Sequence, residues 1–277
     1  MSIHPGINME FVRHDDKSFA AGLELARQIG YEHCEPMVHN GRELLSEAGY
    51  FHSVSLDEDP LEIKDVLAHY GMKPSGLSSH TPLMRPEISV PYLEKAIRFA
   101  AAIGAPVVNT DEGIRPSWLP LDEAWHVMQY TLTKVLQVAE RHGVYIGIEP
   151  HQSISRTTAG LLRIATLVDS PWLSVNYDTG NVWHYAGVRA EDDLPLIAPH
   201  LAHIHLKDVR GAAGEWDFPA LGEGTVDFAR ILAILRDAQY GGPLSVEIEF
   251  QGEPWLPLAE VTDALRRSRE HLLALGA

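Results

Sequence analysis

Eight times along this 277-residue chain, a short, nearly continuous apolar run gives way to a segment of helical periodicity. The runs are GINMEFV, YEHCEPMV, KPSGLSS, APVVNTDEG, VYIGIEPH, LSVNYDTGN, LAHIHLKDV and PLSVEIEF. Strands apolar on both faces belong to parallel sheets covered by helices, since parallel neighbours are joined by long crossovers. The helices carry their own punctuation. SFAAGLELARQIG closes at Gly30 and SVPYLEKAIRFAAAIG at Gly104. DPLEIKDVLAHYG offers Asp59 as N-cap, Pro60 at the first helical position and Gly71 at the end. LDEAWHVMQYTLTKVLQVAERHG begins acidic, at Asp122, and ends basic, as the helix dipole favours. TTAGLLRIATLVDS, a stretch around EDDLPLIAPH, TVDFARILAILRDAQ and LAEVTDALRRSREHLLAL complete the set. A closed (β/α)8 barrel is the economical way to bury eight such strands. An open doubly wound sheet would need a phosphate-binding glycine turn after the first strand, and GINMEFVRHDD has none. No linker or low-complexity tract interrupts the pattern, so the expectation is an α/β fold with one barrel domain over residues 1–277.

Composition narrows the partners. The 45% hydrophobic content suffices for one large core, and the formal charge is −16. Such a surface repels nucleic acid and anionic membrane, which leaves a small molecule as the expected partner. The single cysteine, Cys34, excludes an internal disulfide and reads as a small core residue. The start, MSIHPGINMEFV, has no basic region followed by a long apolar stretch, and no run is long enough to span a bilayer. The expectation is a cytoplasmic protein.

Four runs in the second half carry metal-binding side chains where strands should end. YIGIEPH presents Glu149 and LSVNYDTGN presents Asp178. LAHIHLKD presents His205, with His203 on the same face, and PLSVEIEF presents Glu247, with Glu249 on the same face. Charges in buried strands are costly unless something compensates them. In a parallel barrel the reactive groups gather at the C-terminal strand ends, and neighbouring strands lie about 4.8 Å apart. Consecutive strands can therefore bring three carboxylates and one imidazole to one divalent cation. That donor set suits Mn²⁺ first, then Mg²⁺, Co²⁺ or Fe²⁺, while Zn²⁺ usually takes fewer carboxylates. Each residue also has a bland reading. Asp178 in DTGN could cap a turn, Glu149 could reach solvent, a lone histidine is commonly a core residue, and Glu247 or Glu249 could sit in a salt bridge. The inference rests on all four falling where ligands belong.

The order IEP, DTGN, HIHLKD and SVEIE, spread over nearly the whole chain, resembles the sugar phosphate isomerase/epimerase superfamily with the xylose-isomerase-like TIM barrel. Ketose 3-epimerases, hydroxypyruvate isomerases, inosose dehydratases and apurinic-site endonucleases belong to it. By this resemblance Glu149, Asp178, His205 and Glu247 match the four metal ligands, with His205 chosen over His203 and Glu247 over Glu249. The endonuclease branch has a histidine three residues after the aspartate of DTGN, where this chain has Asn181, and His80 alone could mimic an extra ligand. With the charge of −16, this disfavours a nuclease. Ketose epimerases have an arginine where this chain has Gly211, with Arg210 beside it. LKDVR, with Lys207 and Arg210, is similar to the inosose-dehydratase form of the strand.

The resemblance implies a divalent-metal-dependent isomerase or epimerase of a sugar or keto-sugar. Carboxylates at the positions of Glu149 and Glu247 would flank the substrate, one removing a proton and the other returning it, through a metal-stabilised enediolate. It also implies a homodimer or homotetramer. His151 offers a different base: in extended geometry it falls on the same side as Glu149, at the strand mouth. That would suit a metal-dependent lyase on the same scaffold, either a keto-cyclitol dehydratase or a 3-keto-glycoside or C-glycoside deglycosidase. Lys207, either on a substrate oxyanion or paired with Asp208, is a further candidate contact, as are Arg210, His80, Trp183 and Trp216. Trp118 and Trp255 also fall in expected strand-to-helix loops. No glycine-rich turn accompanies Arg85, Arg115 or Arg156, so the substrate is expected to be unphosphorylated.

Overall fold

The computed structural model describes residues 4–15, 17–41, 52–250 and 256–277. Its main sheet is wholly parallel. The strands are β1 (Pro5–Asn8), β2 (His33–Glu35), β5 (Lys73–Pro74), β6 (Leu77–Ser78), β7 (Val107–Thr110), β8 (Tyr145–Ile148), β9 (Leu173–Asp178), β10 (Leu201–Leu206) and β11 (Leu244–Val246). A separate parallel pair, β3 (Val38–His39) and β4 (Val54–Ser55), lies beyond β2. The sheet order is β5-β2-β1-β11-β10-β9-β8-β7-β6. Its two ends are halves of one strand, KPSGLSS, broken at Ser75–Gly76. Ser75 donates its N–H to Cys34 O at 2.7 Å, Ser78 donates to Pro36 O at 2.9 Å, and Ser78 bridges to Met37. The ring therefore closes over eight strand positions, and the family of eight runs becomes a TIM barrel.

Helices α1 (Phe19–Ile29), α2 (Pro60–His69), α3 (Pro86–Ile103), α4 (Leu121–His142), α5 (Thr158–Ala165), α6 (Asn181–Ala186), α7 (Ala190–Ile197), α8 (Phe228–Asp237) and α9 (Leu258–Ala274) surround the ring. Their ends follow the local chemistry. Ser18 accepts from Ala21 N, Asp59 accepts from Leu61 N with Pro60 at the first turn, and Gly30, Gly104 and Gly143 close helices in the left-handed conformation.

Three expectations change. GINMEFV is extended only to Asn8; the Asn8 side chain accepts Glu10 N at 2.9 Å and turns the chain into a 3₁₀ segment, Met9–Asp15. TTAGLLRIATLVDS is helical only to Ala165, where Thr166 bonds back to Leu162 O and ends the helix. LSVNYDTGN is a strand only to Asp178, and Asn181 already begins α6. Cys34 is buried, as expected of a core residue.

Candidate metal centre

The C-terminal strand ends converge as the parallel register demands. His205 in β10 stands opposite Asp178 in β9. Glu149, just past β8, is anchored by its N–H on Thr110 O, and Glu247, just past β11, by its N–H on Leu206 O. Glu149, Asp178, His205 and Glu247 are all buried, and one ligand-type atom from each lies within 4.8 Å of the others. The focus is His205 Nδ1, which is 3.2 Å from Glu247 Oε2, 3.6 Å from Glu149 Oε2 and 3.8 Å from Asp178 Oδ2.

Asp178 divides its oxygens between two tasks. Oδ1 accepts the N–H groups of Gly180 and Asn181, both at 2.8 Å, and so caps the turn into α6. Oδ2 points into the centre and, like Glu247 Oε2, is buried with no well-aligned hydrogen bond. The turn-capping reading of Asp178 thus holds for Oδ1, and Oδ2 is left to face the centre. Two such carboxylate oxygens beside an imidazole nitrogen form a donor set that fits a divalent cation in type and number.

Lys207 is buried among these charges. Its Nζ lies 2.7 Å from Glu249 Oε2, 2.9 Å from Glu247 Oε2 and 3.2 Å from Asp178 Oδ2. Burial works against the ammonium, but the surrounding carboxylates outweigh it and hold its pKa well above the usual lysine value. Conversely, burial would raise the Glu247 pKa, and Lys207 and His205 together pull it well below the carboxylate range. Both glutamates pair with Lys207, and Glu249 also meets Arg13 at 3.3 Å. Lys207 makes no pair with Asp208. That carboxylate instead accepts four backbone N–H groups, from Val209, Gly222, Gly224 and Val226, and so ties down the loop after β10.

Asn181 takes a bridging role. Its Nδ2 donates to Glu149 Oε1 at 3.0 Å, while its Oδ1 accepts from Lys207 at 3.3 Å. Asn176 holds the other oxygen of Glu149, at 3.1 Å. Glu149 is thereby oriented by two amides.

Above the centre sits a partly exposed histidine pair. His151 Nδ1 meets Asp111 Oδ2 at 2.6 Å, and His80 lies 3.7 Å from Glu149 and 3.9 Å from Asp111. Burial disfavours the imidazolium of His151, yet the hydrogen bond to Asp111 and the charge of Glu149 raise its pKa above the ordinary histidine value. The loop carrying His151 is fixed from below: His151 N donates to Ser155 Oγ, and Glu112 Oε1 accepts the N–H groups of Ile154 and Ser155.

A cavity of about 190 Å³ opens onto the centre, walled by Glu149, His151, His80, Lys207, Trp216 and Glu247. Tyr185 of α6 also lines it, packed edge-on against His151. Two residues expected to contact substrate lie outside it. Arg210 is bound bidentately by Asp217, with both contacts at 3.0 Å, and Trp183 donates its indole N–H to Gly211 O while Arg189 lies over its ring. Both brace the loop that carries Trp216. His184 also stays on this brace, its Nδ1 on Glu215 O. Trp118 stands exposed, and Trp255 lies outside the described residues.

Sequence reading missed Glu35, Asn109 and Asn176, which lie beneath Glu149, Asp178, His205 and Glu247, and Asp111 as the partner of His151. The amides did leave a signal, as asparagines inside the strand-like runs VVNT and SVNYD.

A family model described as xylose isomerase-like TIM barrel matches residues 23–274. The chain belongs to that family. Inosose dehydratase from Salmonella agona is 26% identical over 156 residues, 50% of each chain. The matches span about half the length of the curated relatives. This xylose isomerase-like barrel also shares its fold with a solved D-tagatose 3-epimerase-like protein, with a TM-score of 0.76, 18% identity and coverage of 99% and 98% of the two chains. The IolI protein, solved with a binding zinc atom, gives a TM-score of 0.75 at 18% identity with the same coverage. Among the described residues no helix is long and apolar enough to cross a membrane.

Proposed function

We propose that this xylose isomerase-like barrel is a divalent-metal-dependent enzyme that moves a proton at the carbon beside a carbonyl of a neutral sugar or keto-sugar. Net isomerisation or epimerisation is the leading outcome. The observation that carries the reading is the buried set Glu149, Asp178, His205 and Glu247, with two carboxylate oxygens left without hydrogen bonds at the floor of a cavity. These four would hold the ion, Mn²⁺ by preference, with Mg²⁺, Co²⁺, Fe²⁺ or Zn²⁺ as alternatives. Bound there, the ion supplies Lewis-acid stabilisation of negative charge on neighbouring substrate oxygens.

The chain's own residues set the rest. Glu149, held by Asn176 and Asn181, and Glu247, beside Lys207, present two carboxylates to the cavity from different strands. Lys207 places a fixed positive charge at the floor, where it would steady a developing oxyanion. All of its charge is already matched by Asp178, Glu247 and Glu249, and Arg210 is held by Asp217 outside the cavity. Among the described residues no lysine or arginine lining the cavity is without a carboxylate partner, which supports an unphosphorylated substrate. Trp216 and Tyr185 offer aromatic faces to the apolar side of a sugar ring.

A second reading, a lyase acting on a keto-cyclitol or a 3-keto-glycoside, draws on two observations. One is the likeness to inosose dehydratase. The other is the Asp111–His151 pair at the mouth. Asp111 orients Nδ1 and leaves Nε2 to exchange a proton, so His151 could remove a proton and deliver it to a leaving oxygen. A screen of ketoses, inososes and 3-keto-glycosides with added Mn²⁺, followed by NMR in deuterated water, tests both readings. Deuterium incorporation with a new stereoisomer supports epimerisation, and release of water or an aglycone supports the lyase. No exchange on any of these classes sinks the proton-transfer reading.

A further inference from the structure

Directly beneath the metal centre the barrel axis is filled with polar side chains rather than with the branched apolar residues usual in such barrels. Glu35, Ser75, Asn109, Asn176, His203 and Ser245 come from six of the eight strand positions, and all are buried. They form one hydrogen-bonded layer. Ser75 Oγ meets Ser245 Oγ at 3.1 Å, and Ser245 Oγ meets His203 Nε2 at 3.2 Å. His203 Nδ1 meets Asn176 Oδ1 at 2.8 Å. Asn109 Nδ2 donates to Glu35 Oε1 at 2.7 Å. Two strand glycines make the space. A Cβ on Gly147 would stand 2.6 Å from Asn109 Oδ1, and one on Gly76 would stand 3.1 Å from Asn109 Nδ2.

Two side chains of this layer reach the centre above: Asn176, which donates to Glu149, and Glu35. Glu35 Oε2 lies 2.8 Å from His205 Nε2. No lysine or arginine pairs with Glu35 among the described residues, so its charge is compensated only through Asn109 and the two histidines. A carboxylate is an acceptor only, which requires Nε2 of His205 to carry the proton. Nδ1, which faces Glu149, Asp178 and Glu247, is then the nitrogen that would give up its proton to a bound cation.

We propose that Glu35 is a positioning residue for the metal site: by accepting from Nε2 it fixes the tautomer and ring orientation of His205 so that Nδ1 ligates, and it raises the basicity of that ligand. This rests on the metal-centre reading above. Partners of this kind are generally worth about 10–100-fold in metal affinity. Glu35→Gln keeps the shape and the acceptor but removes the charge, whereas Glu35→Leu removes both. Ser245→Ala disturbs the same layer without touching His205, and so controls for a loosened core.

The test is calorimetric titration of Mn²⁺ into the wild-type chain, Glu35→Gln, Glu35→Leu, Ser245→Ala and Asp178→Asn. Beside it stands ¹⁵N-histidine NMR of the wild-type chain loaded with diamagnetic Zn²⁺. The expected result is one site in the wild type, weakened roughly 10-fold by Glu35→Gln and roughly 100-fold by Glu35→Leu, unchanged in Ser245→Ala and lost in Asp178→Asn. The NMR spectrum should show His205 metallated at Nδ1 and protonated at Nε2. If the wild type binds no metal, the metal-centre reading itself fails. If it binds while Glu35→Gln matches it, or Ser245→Ala weakens binding as much, the role of Glu35 is overturned and the centre stands. Metallation at Nε2 overturns it without any variant, so a Glu35 variant that fails to fold leaves the proposal open to refutation.

Discussion

The second half of the barrel, β8 to β11, supplies Glu149, Asp178, His205 and Glu247. The first half, β1 to β7, supplies none of these and instead contributes groups that touch them or their neighbours: Glu35 on His205, His80 beside Glu149, Asp111 on His151 and Glu112 under the His151 loop. The contrast extends to hydrogen bonding. The converging oxygens of Asp178 and Glu247 have only the ion pair to Lys207 and no well-aligned hydrogen bond, while Glu35 and Asp111 each have a close, specific histidine partner.

The sharpest way to break this division is to remove a ligand from the second half. Asp178→Asn keeps Oδ1 as the cap for Gly180 and Asn181 but places an amide where the free oxygen points. Bound Mn²⁺ should be lost beyond the ~100-fold range of outer partners, with the far-UV circular dichroism retained. Full metal content by elemental analysis in that folded variant would end the assignment of Asp178.

The next effect separates metal from proton transfer. If His151 is the proton-transfer base, His151→Ala should keep the metal and lower kcat by roughly 10²–10⁴, the usual range for a positioned acid or base. Asp111→Asn leaves the imidazole in place and removes only its carboxylate partner, so its loss should be smaller than that of His151→Ala. Equal kinetics in wild type and His151→Ala would assign the mouth pair to structure and return the chemistry to Glu149 and Glu247.

The same contrast explains what the sequence disclosed. Glu149, Asp178, His205 and Glu247 stand out because each interrupts an apolar run where a strand must end. The eight-fold rhythm sets the barrel, and the barrel sets their convergence. Glu35 gives no such contrast, since in YEHCEPMV it follows two other polar residues, and its partner His205 is 170 residues away. Only ring closure shows that the ends of β2 and β10 face each other across the axis. Arg210 and Trp183 illustrate the reverse error. Their residue types suit sugar binding, but Asp217 and the carbonyl of Gly211 claim them first, and loop conformation of that kind has no periodicity to betray it. The end of β1 and the unexpected short helix α6 share a related cause: single side chains, Asn8 and Asp178, redirect the backbone within apolar text.

The smallest expected effect tests whether every buried carboxylate of the first half serves the metal. Glu112 is wholly buried; Oε1 accepts two N–H groups and Oε2 has no partner. Burial raises its pKa despite the hydrogen bonds from the loop. The sign follows from linkage. Below the unfolded carboxyl value the group is neutral in both states and costs nothing. As pH rises through the unfolded and then the raised folded value, the folded chain must either hold a buried charge or retain a proton that the unfolded chain releases. Stability is therefore lost with rising pH. Glu112→Gln removes that titration while its Oε1 still accepts from Ile154 and Ser155. The melting midpoints of variant and wild type should differ most weakly near pH 4, and the variant should gain on the wild type as pH rises, at about 2–4 °C for each kcal/mol involved. Mn²⁺ affinity should not change. A pH-independent difference would show that burial does not shift Glu112. Weakened metal binding would instead place Glu112 beside Glu35 as a second support from the first half of the barrel.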